Sequence, residues 1–144
     1  MLYLDTSALL KLYLRDEGSE AVQSQVASQD LPLPVWEIQE MELINALRLK
    51  VFWNEISASD AEGQVNLFKE RRTRGLYFFP KMHRSDLMQT FRRLSEETMR
   101  LGCRTMDILH VACAVELKAS AFLTFDNRQA VLATAAGLIA PALR

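Results

Sequence analysis

Four acidic residues stand at places where an α/β chain would gather them: Asp5, Glu42, Asp107 and Asp126. Asp5 directly follows the apolar run Leu-Tyr-Leu and directly precedes a helical pattern. Asp126 repeats that arrangement after Ala-Phe-Leu-Thr-Phe. Asp107 lies in the first turn of a helix rich in Ile108, Leu109, Val111, Ala112, Ala114 and Val115. Glu42 sits within a long helix on a mainly apolar face with Ile38, Gln39, Asn45, Ala46 and Leu49. Carboxylates a few ångströms apart repel one another and cannot all ionise unaided. A hard cation such as Mg²⁺ relieves the repulsion, because it takes oxygen ligands and keeps several waters. One or two such ions can activate a water and stabilise the leaving oxygen of a phosphodiester.

Each carboxylate also has an ordinary explanation. Asp5 suits a helix N-cap, although Thr6 and Ser7 would cap equally well. Asp126, with Gln129 three residues on, has the pattern of a capping box. With Thr105 as N-cap, Asp107 falls at the second helical position, where negative charge is favoured. Glu42 resists such a reading. Burying a lone charge costs several kcal/mol unless it is paired or binds metal. Arg48 and Lys50 lie off its face, and Glu37 and Glu40 read as solvated first-turn charges. The weight falls on the set of four and its order.

The elements that must position them follow from periodicity and punctuation. Residues 2–4 read as a buried strand, and Thr6–Leu14 and Ser19–Ser28 as helices separated at Gly18. Residues 31–35 are extended, since proline disfavours helix in the residue before it. A long helix covers roughly 37–53, and Ser57 or Ser59 caps another toward Arg72. Leu76–Phe79 is a strand stopped by Pro80. Ser85 or Asp86 caps a helix to about Leu101, ended by Gly102. Thr105 opens a helix to about Leu117. Ala121–Phe125 is a strand, a helix follows to Gly137, and the tail 138–143 supplies a last strand. Strands alternating with helices imply a mostly parallel sheet covered on both faces, with sites at the strands' carboxyl ends. Asp5 and Asp126 therefore share one edge of the sheet.

The chain of 144 residues fits one domain over 1–144, with 49% hydrophobic and 24% charged residues. No apolar run reaches the ~18 residues that cross a bilayer. The opening residues lack a basic segment and a small-residue cleavage site, so a cytoplasmic protein with no membrane association is expected. Net charge is −1 and the pI near 6.1, which argues against extended duplex binding. Cys103 and Cys113 read as buried thiols without a disulfide. Neither they nor His83 and His110 have zinc-ligand spacing.

The segments LYLDTSALLKLYL, MELINAL, TMDILHVACAVEL and FLTFDNRQAVLATAAGL together resemble the PIN-domain family. They are most similar to the VapC-type toxins of bacterial toxin–antitoxin pairs. The resemblance implies a PIN-like three-layer α/β/α sandwich and an endoribonuclease dependent on Mg²⁺ or Mn²⁺. It assigns the metal to Asp5, Glu42, Asp107 and Asp126. Thr6 or Ser7, Asn45 and Thr124 would hydrogen-bond these ligands and orient them. It also implies RNA as substrate, a homodimer and inhibition by an antitoxin of the VapB kind. Residues 55–100 carry no family motif.

Other residues have milder readings. Lys69, Arg71, Arg72 and Arg74 form a basic run that suits a helix C-terminus, while phosphate contact is the functional alternative. Arg72 and Arg128 are the candidate RNA contacts. His110, one turn after Asp107, reads as a satisfied, partly buried histidine. Trp36, Phe52 and Trp53 read as core or dimer surface. Two rival functions remain open. One is a non-catalytic PIN-fold module that binds RNA or a protein. The other is a phosphotransfer domain, disfavoured because no Gly-rich phosphate loop is present.

Overall fold

Strand alternation sorts the core into two halves. In the computed structural model, which describes residues 1–30 and 32–143, β1 (Leu2–Leu4) sends Leu2 and Leu4 into one cluster and Tyr3 into the other. Successive strand side chains point to opposite faces. Its parallel neighbour β4 (Ala121–Leu123) matches it, with Leu123 on the first face and Phe122 on the second. The Tyr3 and Phe122 rings stack with centroids 5.5 Å apart.

A second parallel pair joins β2 (Leu33–Pro34) to β3 (Tyr77–Phe78), and β2 lies beside β1. The amides of Leu33 and Val35 donate to Leu76 and Phe78 carbonyls on the β3 side. Pro34, between them, turns its nitrogen toward β1 and has no proton to give. The sheet is therefore split into two ladders at this point.

Helices cover both faces. On the Leu2/Leu4 face lie α1 (Thr6–Leu10), α2 (Ser19–Ala27), α3 (Glu37–Phe52) and α4 (Ala58–Thr73). They contribute Leu9, Val22, Leu43, Leu47, Val65 and Phe68 to that core. On the Tyr3 face lie α5 (Arg84–Ser95), α7 (Thr105–Glu116) and α8 (Asn127–Ala135), and the short α6 (Thr98–Leu101) follows α5. Their core residues include Leu87, Leu94, Ile108, Val111 and Leu132. This is the expected α/β/α arrangement with a parallel sheet. Cys103 and Cys113 are buried free thiols, also as expected.

Several boundaries differ from the sequence reading. The helix expected over Thr6–Leu14 ends at Leu10. Beyond it the amides of Leu12 and Tyr13 reach carbonyls only three residues back, so the chain tightens into turns. The helix expected to reach Leu101 breaks at Glu96 and Glu97, whose amides also bond three residues back. Ser57, not Ser59, caps α4, accepting from the Asp60 amide at 3.0 Å. The expected last strand is a single bridge between Ala121 and Ile139. Position 31 of the extended segment lies outside the described residues. Phe52 and Trp53 are 77% and 54% exposed, which removes the core reading for both.

Gly18 closes the turn before α2 with φ of +85°. A Cβ there would stand 2.5 Å from Cε1 of Phe125, whose ring packs against this turn. Gly18→Ala thus meets both a left-handed backbone and a clash. It is expected to destabilise the protein by about 2 kcal/mol or more, read from the urea midpoint at unchanged slope.

Candidate active site

The parallel register delivers Asp5 to the site. Its amide donates to the Leu123 carbonyl at 3.0 Å, one residue past β1, and so sets Asp5 beside Thr124. Asp5 is 5% exposed. Its Oδ1 accepts from the Ala8 amide at 2.8 Å and from Ser7 Oγ at 2.7 Å. Its Oδ2 accepts from Thr124 Oγ1 at 2.7 Å. The capping role is therefore real, but two hydroxyls add to it. Burial nevertheless pushes the Asp5 carboxyl up, against the opposing hydrogen bonds from Ala8, Ser7 and Thr124.

Thr124 is a junction. Besides facing Asp5, its hydroxyl lies 2.7 Å from Gln129 Oε1 and accepts from the Asp126 amide at 3.0 Å. One hydroxyl proton thus stands between two acceptors. Asp126 Oδ1 caps α8 through the amides of Arg128 and Gln129, at 2.8 and 3.1 Å. The capping box expected at Asp126 and Gln129 does not form. Buried Gln129 instead spans from Thr124 to the Asp107 carbonyl, where its Nε2 donates at 3.1 Å. It ties the end of β4 to the first turn of α7.

Asp107 sits at the third helical position, because Arg104 and not Thr105 is the N-cap. Its Oδ2 accepts from the Arg104 amide at 2.9 Å and from Arg104 Nε at 3.3 Å. Asp107 and Asp126 both act on Cys103. Burial raises that thiol's pKa, and the two negative charges raise it further.

Glu42 has a partner that its own helix does not reveal. His110 Nε2, on α7, lies 2.5 Å from Glu42 Oε2, and Thr6 Oγ1 donates to the same oxygen. Burial alone would raise the Glu42 pKa. The hydrogen bonds from His110 and Thr6 outweigh it, the Arg104 charge assists, and the carboxyl is held below its usual range. His110 is only 3% exposed, more deeply buried than expected, and both ring nitrogens are engaged. Its Nδ1 lies 2.9 Å from Tyr3 Oη, which accepts from Trp36 Nε1 at 3.0 Å.

Three of the four carboxylates are therefore anchored through one oxygen. Among the described residues, Glu42 Oε1, Asp107 Oδ1 and Asp126 Oδ2 receive no hydrogen bond. The donor set is all oxygen, the chemistry that suits Mg²⁺ or Mn²⁺. As they stand, no three Asp, Glu, His or Cys side chains among the described residues are placed to hold one ion.

The remaining expected residues divide. Thr6, Ser7 and Thr124 hydrogen-bond the carboxylates as described. Asn45 is exposed on α3 and bonds to none of them. Arg72 pairs with Glu40 at 2.5 Å and lies over the rings of Phe68 and Phe79. Arg71 donates to the Leu12 carbonyl at 3.0 Å and covers Tyr13. Half of the basic run thus braces the fold instead of forming a solvated face. Arg128 is exposed beside the site, with Nη1 donating to the Gly102 carbonyl at 3.1 Å. The sequence reading missed Arg104 and Gln129 as site residues. The position of Arg104 directly before the acidic first turn of α7 was the available signal.

A family model described as the PIN domain matches residues 2–135. The chain belongs to the PIN-domain family. Among curated proteins none matches it. PIN domains are generally nucleases and typically use divalent metal ions. In this PIN domain, no helix among the described residues is long and apolar enough to cross a membrane.

The Asp5 environment yields a test without any ion. Asparagine at this position would keep Oδ1 as acceptor and donate from Nδ2 to Thr124, whose own proton then serves Gln129. An acid whose pKa is raised on folding loses stability as pH rises through the folded value. Asp5→Asn is therefore expected to raise the melting temperature of metal-free protein at pH 7.5 by a few degrees. The gap should narrow as pH falls through the raised Asp5 range, because the wild-type carboxyl then takes up its proton. Differential scanning fluorimetry in EDTA across that range provides the check.

Proposed function

We propose that the protein is an endoribonuclease, dependent on Mg²⁺ or Mn²⁺, that hydrolyses RNA phosphodiester bonds. Asp5, Glu42, Asp107 and Asp126 would hold the ion or ions. The observation that carries the reading is the uncommitted oxygen on each of Glu42, Asp107 and Asp126 around the strand ends. A bound divalent cation would supply charge neutralisation and a water of lowered pKa.

The chain's own residues supply the rest. Ser7 and the Ala8 amide hold Asp5 Oδ1 in one orientation. Rotation of the Thr124 hydroxyl toward Gln129 Oε1, already at 2.7 Å, would release Asp5 Oδ2 without breaking the site. Arg128 and Arg104 are exposed cations at its mouth and suit contact with RNA phosphates. Arg72, the other proposed RNA contact, would have to give up Glu40 to serve.

The segments resembling VapC-type proteins support a finer reading. The protein would be the cytoplasmic toxin of a type II toxin–antitoxin pair, paired with a VapB-like antitoxin and active as a homodimer. The outer face of α3 supports the dimer, since Met41, Leu49 and Phe52 are exposed along it and Trp53 follows.

Cleavage of a fluorescent single-stranded RNA tests the nuclease. Wild type is expected to cut with added Mg²⁺ or Mn²⁺ and to stop in excess EDTA. Asp126→Asn and Asp107→Asn are expected to lose about 100-fold or more, since metal-centred charge stabilisation is worth several kcal/mol. Cleavage undiminished by EDTA would refute metal dependence. For the dimer, light scattering should give twice the 16.4 kDa chain mass, and Phe52→Ser with Trp53→Ser should halve it.

A second reading, a PIN module that binds RNA or a protein without cleaving, draws on the lack, among the described residues, of three carboxylates arranged for one ion. Calorimetry with Mn²⁺ separates the two. Micromolar binding that Asp126→Asn abolishes favours the nuclease, and no heat at millimolar ion favours the module.

A further inference from the structure

We propose that Trp36, Tyr3 and His110 form a one-way hydrogen-bond relay that positions Glu42, committing Oε2 to the protein and leaving Oε1 for the cation of the site. The role of Oε1 rests on the nuclease reading; the relay itself does not.

The direction follows from donor chemistry. Indole Nε1–H can only donate, so at 3.0 Å it gives its proton to Tyr3 Oη. Tyr3 is fully buried and must place its own phenolic proton. His110 Nδ1, at 2.9 Å, is the nitrogen acceptor within reach. The Cys113 thiol also borders the phenol, but sulfur is a weak acceptor. With Nδ1 accepting, the ring proton belongs on Nε2. There it donates to Glu42 Oε2 at 2.5 Å. The reverse assignment would strand the Tyr3 proton on sulfur and set a bare Nε2 against a carboxylate oxygen. A buried donor without a good partner and two facing acceptors are both unfavourable.

The relay crosses the molecule. Tyr3 comes from β1, Trp36 from the residue before α3, and His110 from α7 on the opposite layer. Thr6 at the start of α1 adds the second donor to Oε2. Two donors converging on one oxygen fix the rotation of the Glu42 carboxyl. His110 is a positioning residue in this scheme, since it reaches the site through Glu42.

The test uses full-length, metal-free, ¹⁵N-labelled protein and a long-range ¹H–¹⁵N spectrum of its imidazoles at neutral pH. The chain has two histidines, and His83→Gln assigns the signals. The expected pattern for His110 is protonated Nε2 and unprotonated Nδ1. A protonated Nδ1, alone or with Nε2, overturns the relay. Tyr3→Phe, which removes only the hydroxyl, should weaken Mn²⁺ binding by calorimetry about tenfold. His110→Ala should weaken it at least as much, and His110→Gln, whose amide can still donate to Oε2, should restore part of the loss. Circular dichroism confirms that each variant is folded; if Tyr3→Phe does not fold, the His110 pair carries the comparison. Folded Tyr3→Phe and His110→Ala that bind Mn²⁺ as wild type does would overturn the positioning role. A wild type that neither binds Mn²⁺ nor cleaves RNA overturns the nuclease reading and the role of Oε1, while the imidazole spectrum decides the relay independently.

Discussion

The parallel register of β1 on β4 is the constraint on which the site depends. It sets Leu4 opposite Leu123, lets the Asp5 amide continue the ladder, and thereby brings Asp5 against Thr124. A slip of one residue would exchange the faces of every strand side chain. Tyr3 and Phe122 would leave the face that packs on α7, and the relay to His110 would lose its first member. The apolar alternation that builds the two cores therefore also aims the polar residues at the strand ends.

Charge at the site is managed by neutral donors and one histidine more than by ion pairs. Asp5 takes an amide and two hydroxyls, Asp126 takes two amides, and Glu42 takes a histidine and a threonine. Asp107 alone has a guanidinium, and Arg104 is 81% exposed, so that pair is weakened by solvent. Fixed dipoles of this kind hold carboxylates in place without neutralising them. Burial leaves Asp5 costly to ionise. On the proposed nuclease reading, a cation from solution would offset that cost.

The basic residues divide the same way, into bracing and exposed. Arg71 and Arg72 lie over aromatic rings and are tied to a carbonyl and a carboxylate, so their charges help to dock α4 against its neighbours. Arg104 and Arg128 belong to the site's rim. A run of like charge in the sequence thus concealed two different uses, because charge density says nothing about which side chains find aromatic faces.

By itself the sequence determined the alternation of elements and a parallel sheet covered on both faces, and its resemblance to PIN domains pointed to Thr6, Ser7 and Thr124 as hydrogen-bond partners of the carboxylates. Those are carried by local periodicity, by residues that end strands or open helices, and by short motifs. Only the tertiary structure decided who pairs with whom. Glu42 looked like an unpartnered charge because its partner, His110, is 68 residues away on another layer. Gln129 looked like half of a capping box, yet a buried amide with two ends found better use bridging Thr124 to Asp107. Asn45 looked like a site residue by position and points to solvent. The broken helix at Glu96 and the split of the sheet at Pro34 were likewise settled by packing and by which side an absent N–H faced. Local rules give each residue its options; the register of distant segments chooses among them, because a hydrogen bond depends on where its partner stands in space.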